Sequence, residues 1–422
     1  MDDFSIVIKS LRARMFSTVT TSVTVAVAVA MLLVLLGLRD SGRQAFGRGA
    51  GNMHLLITAT GSELESVLDG IFYANAPNNF IPWAKYEQVA ESQPWAYAIP
   101  TQMGDSYRGL PVLATTREFF DVYQPSPGHA WELSEGRFFE GTWEIVVGAQ
   151  VAHMTGIRVG DTIALTHGTG KSGPAHVHKE FEFTVVGIAA LTGSPHDRAL
   201  MATLEASWVL HAHDRRLSED SNASITTVDD ITEGDKMITG IYARVFTRPG
   251  RDSSAALQSV HYALRLDPQI TAVSPADQIG KLLGIVSNID QIFLAMAVIV
   301  LLSSGISIML ALYNSMEQRR RQIAVLRVLG CSKGRIFSMV MTESAMLGLA
   351  GAVAGVVIAV AGAQVVAGIM KARLGLVIEP GLGIEWVLFT VVATVLLAAL
   401  AGVVPSMMAY RTSVSRALRP LG

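Results

Sequence analysis

The chain contains little cysteine, which small secreted proteins use for disulfides, and few charged residues, which are common in soluble proteins. Its 422 residues include one cysteine, Cys331, so no disulfide can form within the chain. Charged residues make up 16% of the sequence, against about 25% in an ordinary soluble protein, while 50% of the residues are hydrophobic. These values exclude a disulfide-stabilised scaffold and predict a membrane protein with a sizeable soluble part.

Catalytic signatures are missing as well. The sequence has no acidic–histidine motif of a hydrolase and no serine or cysteine nucleophile signature. Gly170, Lys171 and Ser172 look like the end of a phosphate-binding loop, but that motif needs a glycine where this chain has Leu165. An enzymatic function is therefore unsupported, no cofactor is expected in this chain, and any ATPase must be another polypeptide.

Four stretches are long and apolar enough to cross a membrane, which takes about 20 residues. The predicted spans are residues 17–38, 289–313, 336–370 and 386–410. The first is uncharged and is not followed by a small-residue cleavage site, so we expect a retained helix rather than a signal peptide. Residues 39–288 have short hydrophobic runs broken by glycine and proline, and are predicted to form a soluble domain.

Basic residues predict the orientation, because lysine and arginine concentrate on the cytoplasmic side of a membrane. Residues 1–16, 314–335 and 411–422 carry net charges of +1, +5 and +3, which leaves −11 for the rest of the chain. Four alternating spans place these three segments on one side. We therefore expect both termini in the cytoplasm, and residues 39–288 and the short loop 371–385 outside.

Residues 1–16 have an amphipathic pattern. Phe4, Ile8 and Leu11 fall on one helical face and the basic residues elsewhere, which is typical of a helix lying in the membrane interface. The segment would also act as a basic flank that sets the topology, and the two interpretations are compatible.

The third span is rich in glycine. Gly348, Gly351 and Gly355 lie at spacings that let helices approach closely in lipid. Ordinary packing within one chain would explain these glycines, and so would a dimer face. The sequence leaves both interpretations open.

The basic segment 314–335 is predicted to hold a short helix, parallel to the membrane or just below it. Ile323, Leu326 and Leu329 recur at helical spacing among arginines, and Gly330 offers a C-terminal stop. Positive charge alone would anchor such a loop to lipid headgroups. A loop that only carries charge has no need of an apolar stripe, so a protein contact is favoured.

The soluble domain is predicted to be α+β with two lobes. One lobe would combine residues 54–124 and 241–273, and residues 136–205 would form a more β-rich lobe. Residues 275–290 carry apolar side chains along one side and are predicted to be a stalk helix leading into the second span. The strand-like runs are 144–148, 162–166 and 181–188, and the helical runs are 83–92 and 253–264.

All ten histidines fall in the soluble domain. His176 and His178 form one His-x-His pair, and His211 and His213 form another. Residues two apart on a strand share a face, so each pair could chelate a metal such as zinc or copper. Solvated histidines in loops, or a pH-sensitive surface, would give the same pattern.

The basic segment resembles the permeases of MacB/FtsX/LolC-type ABC transporters. Members carry a pattern like Arg-Arg-x-Glu-Ile-x-x-Leu-Arg-x-Leu-Gly-Ala after the second helix. Here Gln322 replaces the usual glutamate, so one polar contact to the ATPase would be paired differently, and Cys331 follows the glycine. The ATPase-coupling residues that the resemblance implies are Glu317, Arg320, Arg321, Gln322, Ile323, Leu326, Arg327, Leu329 and Gly330.

The resemblance extends over nearly the whole chain. Residues 136–138, 145–148, 159–163 and 181–188 follow the order of the periplasmic core domain of MacB-type permeases. The end of the chain is similar to the family's ending, with Ser413 where proline is common. The matching residues there are Pro405, Ala409, Val414, Ala417, Leu418 and Arg419.

The resemblance implies a permease subunit, not an enzyme, in a bacterial inner membrane. It implies a homodimer, or a heterodimer with a related permease, bound to two cytoplasmic ATPase subunits that hold ATP and Mg²⁺. Closure of the ATPases would move the coupling helices and stalks, and with them the periplasmic domains. Membrane lipid and a periplasmic adaptor, lipoprotein or substrate-binding protein are further expected partners, and nucleic acid is not.

Two functions remain open at this level. One is export or extraction of a substrate from the outer face of the membrane. The other is signalling or scaffolding, in which the outer domain switches a periplasmic partner such as a cell-wall hydrolase without transport. The outer domain of about 250 residues favours transport, because purely regulatory members tend to have smaller ones.

Overall fold

The computed structural model describes residues 3–168, 178–220, 223–246, 255–374 and 381–411. They fall into two compact units, a helical unit and an α/β domain. The helical unit draws on Met1–Gly42, Ile285–Ile369 and Glu379–Gly422, and the α/β domain on Arg43–Gly284 and Met370–Ile378.

Helices occur in both units. In chain order they are α1 (Asp3–Ala13), α2 (Met15–Gly49), α3 (Glu63–Gly70), α4 (Trp83–Ser92), α5 (Glu118–Asp121), α6 (Ala149–Thr155), α7 (Leu204–Glu219), α8 (Ala255–Arg265), α9 (Pro275–Val328), α10 (Lys333–Leu374) and α11 (Ile384–Arg411). Short 3-10 helices cover Pro195–Arg198 and Val228–Asp230.

The strands lie in the α/β domain. They are β1 (Leu55–Ala59), β2 (Ile81–Pro82), β3 (Trp95–Tyr107), β4 (Leu110–Thr115), β5 (Leu133–Gly136), β6 (Glu144–Val147), β7 (Thr162–Ile163), β8 (Thr166–His167), β9 (Phe183–Ala189), β10 (Leu200–Thr203), β11 (Met237–Ile238), β12 (Gly240–Val245) and β13 (Ile270–Val273).

Within the described residues, four helices are long and apolar enough to cross a membrane. Their apolar segments are Met15–Ser41, Gln291–Met316, Lys333–Ile369 and Ile384–Met408. Each overlaps one of the predicted spans, so the four-helix membrane class is confirmed. The α/β domain lies in the chain between the first and second of them.

The separate short helix predicted for residues 314–335 is wrong. The stalk, the second span and most of the basic segment form one helix, α9, of 54 residues. The reason lies in the sequence, because no glycine or proline occurs between Gly305 and Gly330. Nothing therefore interrupts the helical hydrogen bonds before the turn at Gly330.

The α/β domain is built on one mixed sheet. Its strands follow the order β13-β1-β12-β3-β4-β10-β6-β9-β5, with β7 attached to β9 and β8 to β3. The pairs β4–β10 and β6–β9 are parallel, and the other pairs of the sheet are antiparallel. A small second sheet pairs β2 with β11.

The core explains why two lobes were predicted for one sheet. On one face a single cluster runs along the sheet, with Leu56, Tyr242 and Met201 contributed by three of its strands. On the other face two clusters lie side by side, one around Ile57 and Ile241 and one around the strands of the β-rich half. Helix α7 contributes to both of these clusters. The two lobes are thus the two halves of a continuous sheet.

The local predictions succeeded where one pattern decides the structure. The helical run 83–92 coincides with α4, and the alternating run 181–188 contains most of β9, whose side chains alternate between buried and more exposed. The run 162–166 instead splits into β7 and β8, because these pair with different partners, β9 and β3.

Candidate functional sites: the α9–α10 turn and the histidine–carboxylate cluster

The turn between α9 and α10 is formed by Gly330, Cys331 and Ser332. Gly330 has φ of +94°, a left-handed conformation that glycine adopts without strain. The Cys331 amide donates to the Leu326 carbonyl at 3.0 Å and the Gly330 amide to the Arg327 carbonyl at 3.2 Å, the hydrogen-bond pattern of a Schellman C-cap. The Ser332 hydroxyl then accepts from an amide in the first turn of α10 at 3.2 Å. The helix stop therefore lies where the sequence predicts it.

The predicted apolar stripe separates into a buried part and an exposed part. Ile323 is 6% exposed and packs with Met316 of α9 and with Ile336 and Val340 of α10, so it holds the turn together. Leu329, by contrast, is 77% exposed. Only part of the stripe is thus available to a partner.

The exposed apolar face of the turn consists of Val325, Val328 and Leu329. These residues are 45%, 64% and 77% exposed, and their i, i+3, i+4 spacing places them on one side of the helix. Sequence reasoning missed the two valines, because it counted its stripe from Ile323. A second stripe that begins at Val325 was the available signal. We call these three residues the valine–leucine face.

The sequence leading to the valine–leucine face is basic. Residues 318–329 include four arginines and no acidic residue. Glu317, Arg320, Arg321 and Gln322 belong to the helical backbone of α9 on the approach to the turn. Leu326 and Arg327 are half-buried.

The glycines of α10 pack against neighbours in the same chain. A Cβ atom at Gly351 would lie 2.5 Å from the Cβ of Val25 on α2, and one at Gly355 would lie 2.6 Å from the Cβ of the next valine along that face, Val29. Gly348 has an equally close neighbour on α11. Close packing of α10 against α2 and α11 thus explains the three glycines without a second copy of the chain.

A cluster of histidines and carboxylates lies in the α/β domain, where β3, β8 and α7 meet. Asp105 and His167 are cross-strand partners, and His167 Nδ1 lies 3.4 Å from Asp105 Oδ1. His211 Nε2, on α7, lies 3.6 Å from the same oxygen. The side chains of Asp105, His211 and His167 are 5%, 21% and 51% exposed, so the group opens to solvent at His167.

The electrostatics of this group favour a charged carboxylate. Burial acts to raise the pKa of Asp105, but its interactions with the nearby His167 and His211 rings together lower this pKa well below its usual range. In turn, the hydrogen bond to Asp105 raises the pKa of His167. The carboxylate is therefore anionic, and it is held beside two imidazoles.

A second part of the cluster adjoins the first. His178 is fully buried, with Nε2 lying 3.6 Å from Asp214 Oδ2 and Nδ1 lying 3.7 Å from Glu180 Oε1. The same Glu180 oxygen lies 3.7 Å from His213 Nε2, and His213 Nδ1 lies 3.0 Å from the Thr226 hydroxyl. We call the seven residues the histidine–carboxylate cluster: Asp105, His167, His178, Glu180, His211, His213 and Asp214.

Chelation by His211 and His213 as a pair is wrong. The two residues lie on helix α7. Residues two apart on a helix are rotated by about 200° around its axis, so their side chains point in nearly opposite directions. His211 therefore approaches Asp105, while His213 approaches Glu180. His176 lies outside the described residues, so its pairing with His178 stays a prediction.

His196 lies in the core of the α/β domain rather than in the cluster. Its Nδ1 lies 2.5 Å from the Tyr73 hydroxyl and its Nε2 lies 3.0 Å from the Tyr123 hydroxyl. Burial lowers the pKa of His196 to about 3 and raises the pKa of both tyrosines. The ring is therefore neutral, with one nitrogen donating and the other accepting.

The family-like residues 136–148 have structural roles. Gly136 has φ of +80°, and a Cβ there would clash with the Val186 carbonyl. The Arg137 guanidinium makes two hydrogen bonds to the Glu144 carboxylate, which also accepts from two backbone amides at 2.8 and 3.1 Å. These bonds, with the Arg137 bond the largest influence, lower the pKa of Glu144 to about 2. The pattern thus marks a tight turn.

Comparison with known proteins covers most of the chain. A family model described as "MacB-like periplasmic core domain" matches residues 18–261, and one described as "FtsX-like permease C-terminal" matches residues 294–414. An uncharacterised ABC transporter permease of Methanocaldococcus jannaschii is 24% identical over 298 residues, which is 68% of this chain. The chain spans 64% of the length of that relative.

Among solved structures, the extracellular domain of the noncanonical ABC-type transporter YknZ from Gram-positive bacteria is similar to part of the chain. The two share 8% identity with a TM-score of 0.26, over 52% of this chain and 98% of that one.

Proposed function

The chain belongs to the MacB/FtsX type of ABC transporter permeases, and on that premise we propose that it converts the motion of a cytoplasmic ATPase into motion of its α/β domain. In this proposal the motion drives export or extraction of a substrate from the outer face of a bacterial inner membrane. ATP and Mg²⁺ are held by two ATPase subunits, and a second permease copy or a paralogue completes the complex.

The observation that carries the proposal is the continuity of α9. Ile279, near the start of this helix, is 4% exposed in the core of the α/β domain. Ile323, near its end, is buried in the α9–α10 turn. Because α9 contains both residues, we infer that a displacement imposed at the turn travels along this helix.

The valine–leucine face is the part of the turn suited to an ATPase. Three exposed apolar side chains, in a stretch of sequence that has four arginines and no acidic residue, match a partner groove that is apolar at its floor and acidic at its rim. The arginines also favour the cytoplasmic side for this turn and for both termini. Gln322 makes the contact differ from that of relatives with a glutamate there.

The proposed contact is tested by charging the face without disturbing the turn. Leu329→Asp changes a side chain that is 77% exposed, so we expect normal folding but at least about tenfold less ABC ATPase bound to the permease. Arg327→Glu and Leu326→Asp should weaken the contact as well. The measurement is quantitative mass spectrometry of the ATPase that co-purifies with each permease variant from its native membranes.

The matched control is Leu266→Asp. This residue is 69% exposed and lies in the α/β domain, so the same substitution tests for general damage at a similar exposure. Wild-type levels of ATPase on the Leu329→Asp variant would contradict the assignment of the valine–leucine face.

A separate experiment must distinguish transport of a substrate from switching of a periplasmic partner, because both functions would use the same coupling between the ATPase and the α/β domain. The match of residues 18–261 to the large MacB-like core domain favours transport. The permease and its ATPase, reconstituted in vesicles, should release bound lipoprotein or a small amphiphilic substrate only with ATP. ATP turnover that responds to a protein partner, with nothing ever displaced, would refute transport in favour of switching.

A further inference from the structure

We propose that Asp105, His167 and His211 form a binding site for a divalent transition-metal ion, and that zinc is the ion this set of ligands favours. The site lies at the junction of β3, β8 and α7, within the α/β domain. The site does not depend on the proposed transport function, since the geometry of these side chains alone defines it.

The distances fit a shared ion better than a direct ion pair. A charge-assisted hydrogen bond between an imidazole and a carboxylate spans about 2.7–2.9 Å. Here the two imidazoles lie 3.4 and 3.6 Å from the Asp105 oxygen. Ligands placed about 2.0–2.2 Å from a tetrahedral zinc ion lie about 3.3–3.6 Å from one another. One ligand atom from each of the three side chains lies within 4.8 Å of the others.

The hydrogen-bond partners of His211 also favour a bound ion. Its Nδ1 lies 2.7 Å from the Gln102 amide nitrogen, while the buried Gln102 Oε1 has no hydrogen-bond partner among the described residues. Turning this amide by 180° lets Oε1 accept from Nδ1–H. His211 then presents the lone pair of Nε2 to the ion, and this atom is itself buried without a hydrogen-bond partner in the described structure.

The chemistry of the three ligands selects the class of ion. Asp105 offers a carboxylate whose side chain is only 5% exposed, and a buried carboxylate is stabilised by a nearby cation. Two imidazoles and one carboxylate suit zinc first and copper(II) next, and they leave a fourth position for water. His167, which is half exposed, lies on the side by which an ion would enter.

The neighbouring residues define the main alternative. His167 also groups with His178 and Asp214, whose ligand atoms lie within 4.8 Å of one another. We assign the ion to Asp105 and His211 because that set combines a buried carboxylate with an imidazole whose second nitrogen faces Gln102. The two assignments differ in which variant abolishes binding.

The test uses the full chain in detergent, purified without a polyhistidine tag and stripped of metal with a chelator. Zinc is added and followed by titration calorimetry and by elemental analysis after gel filtration. We expect one zinc per chain, and about 100-fold weaker binding in His167→Ala and in His211→Ala, since each removes a ligand. The cobalt-loaded chain should show the intense visible absorption of a four-coordinate ion, and His211→Ala should lose it.

Controls separate loss of a ligand from loss of structure. His129→Ala and His153→Ala remove exposed histidines of the same domain and should bind zinc like the wild type. Asp105→Asn is a further ligand variant. Should that variant unfold, His167→Ala still tests for a metal site, because its side chain is half exposed, and His211→Ala decides between the two sets, because His211 belongs to only one of them.

Three results would overturn the proposal. The first is no zinc bound by the wild type at about 100 μM, far above the range of a built site. The second is wild-type affinity in both His167→Ala and His211→Ala. The third is loss of zinc in His178→Ala together with retention in His211→Ala, which would place the ion at the alternative set.

Discussion

The two units of this permease differ in what they bury. In the α/β domain the largest fully buried side chains include Tyr123, Tyr242 and Phe119, and they surround the neutral ring of His196. In the helical unit, small residues let neighbouring helices approach each other, as where Gly351 lies beside Val25. Many leucine, isoleucine and valine side chains of its spans are exposed at their surface.

The difference follows from the solvent of each unit. Water drives large apolar side chains into a core, so the α/β domain is stabilised by the apolar surface that these side chains remove from water. Lipid tails are as apolar as leucine, so membrane helices are held by close approach instead. We therefore expect the α/β domain to be most sensitive to loss of bulk and the helical unit to be most sensitive to its addition.

The largest effect should come from removing bulk in the α/β domain. Phe119 is 0% exposed and contacts Tyr123 and Trp131, so Phe119→Ala should lower the free energy of unfolding by about 3–5 kcal/mol. Tryptophan fluorescence during denaturation of the full chain in mild detergent measures the loss. Phe80→Ala, at a side chain that is 45% exposed, is the control and should change little. Equal losses of unfolding free energy in Phe119→Ala and Phe80→Ala would contradict the idea that buried bulk stabilises this domain.

Adding bulk between membrane helices should have the next largest effect. Gly351→Leu places a side chain where Val25 already lies 2.5 Å from the position of a Cβ, and should destabilise the helical unit by about 1–3 kcal/mol. Gly368→Leu is the matched control, because within the described part of the chain no neighbouring element lies within 4 Å of a Cβ there. The melting temperature in detergent, followed by size-exclusion chromatography, should fall only for Gly351→Leu. Similar shifts for both would argue against packing by close approach.

Acid should destabilise the α/β domain through His196. The pKa of this ring is about 3 in the folded chain and about 6.5 when unfolded, so below pH 6.5 only the unfolded chain takes up the proton. The resulting loss of stability begins near pH 6.5 and reaches about 1.4 kcal/mol at pH 5.5. His196→Gln retains a donor and an acceptor but does not titrate in this range. Denaturation at pH 7 and 5.5 should show a smaller pH dependence in that variant, and an unchanged one would contradict the role of His196.

The smallest effects compare two glycines of the α9–α10 turn. Gly330→Ala forces a methyl group into a left-handed conformation and should destabilise the helical unit by about 1 kcal/mol. Gly334→Ala lies in helix α10 with open space around it and should stabilise the unit by about 0.5 kcal/mol. Melting temperatures in detergent should move in opposite directions. A shift of the same sign in both variants would show that the turn is not held by the Schellman cap.

Features decided by local pattern were readable from the sequence. Long apolar runs located the four spans, and the order Gly330, Cys331, Ser332 placed the turn. The limits of the helices were less readable. Helix α2 continues to Gly49, about ten residues past the end of the predicted span, whereas the start of α9 at Pro275 agrees with the predicted stalk helix.

Features decided by tertiary pairing were not readable. Asp105 and His167 are 62 residues apart in the chain, and only the register of β3 with β8 brings them together. The His-x-His spacing of His211 and His213 suggested a shared face because a strand was assumed, whereas the segment is helical. The valine–leucine face was missed for a similar reason. Ile323 is buried by contacts with α10, and the sequence of α9 alone does not show which of its apolar side chains α10 covers.

The only thiol of the chain sits in the α9–α10 turn. Cys331 is partly buried against the cluster that contains Ile323 and Ile336, a few residues from the valine–leucine face. The wild-type chain is thus already a single-label protein, and the rate at which a maleimide modifies Cys331 reports how tightly the turn is closed. In the proposed complex with a second copy, spin labels on Cys331 would give a distance between the two turns, and a change of that distance with nucleotide would test the proposed movement without removing any residue.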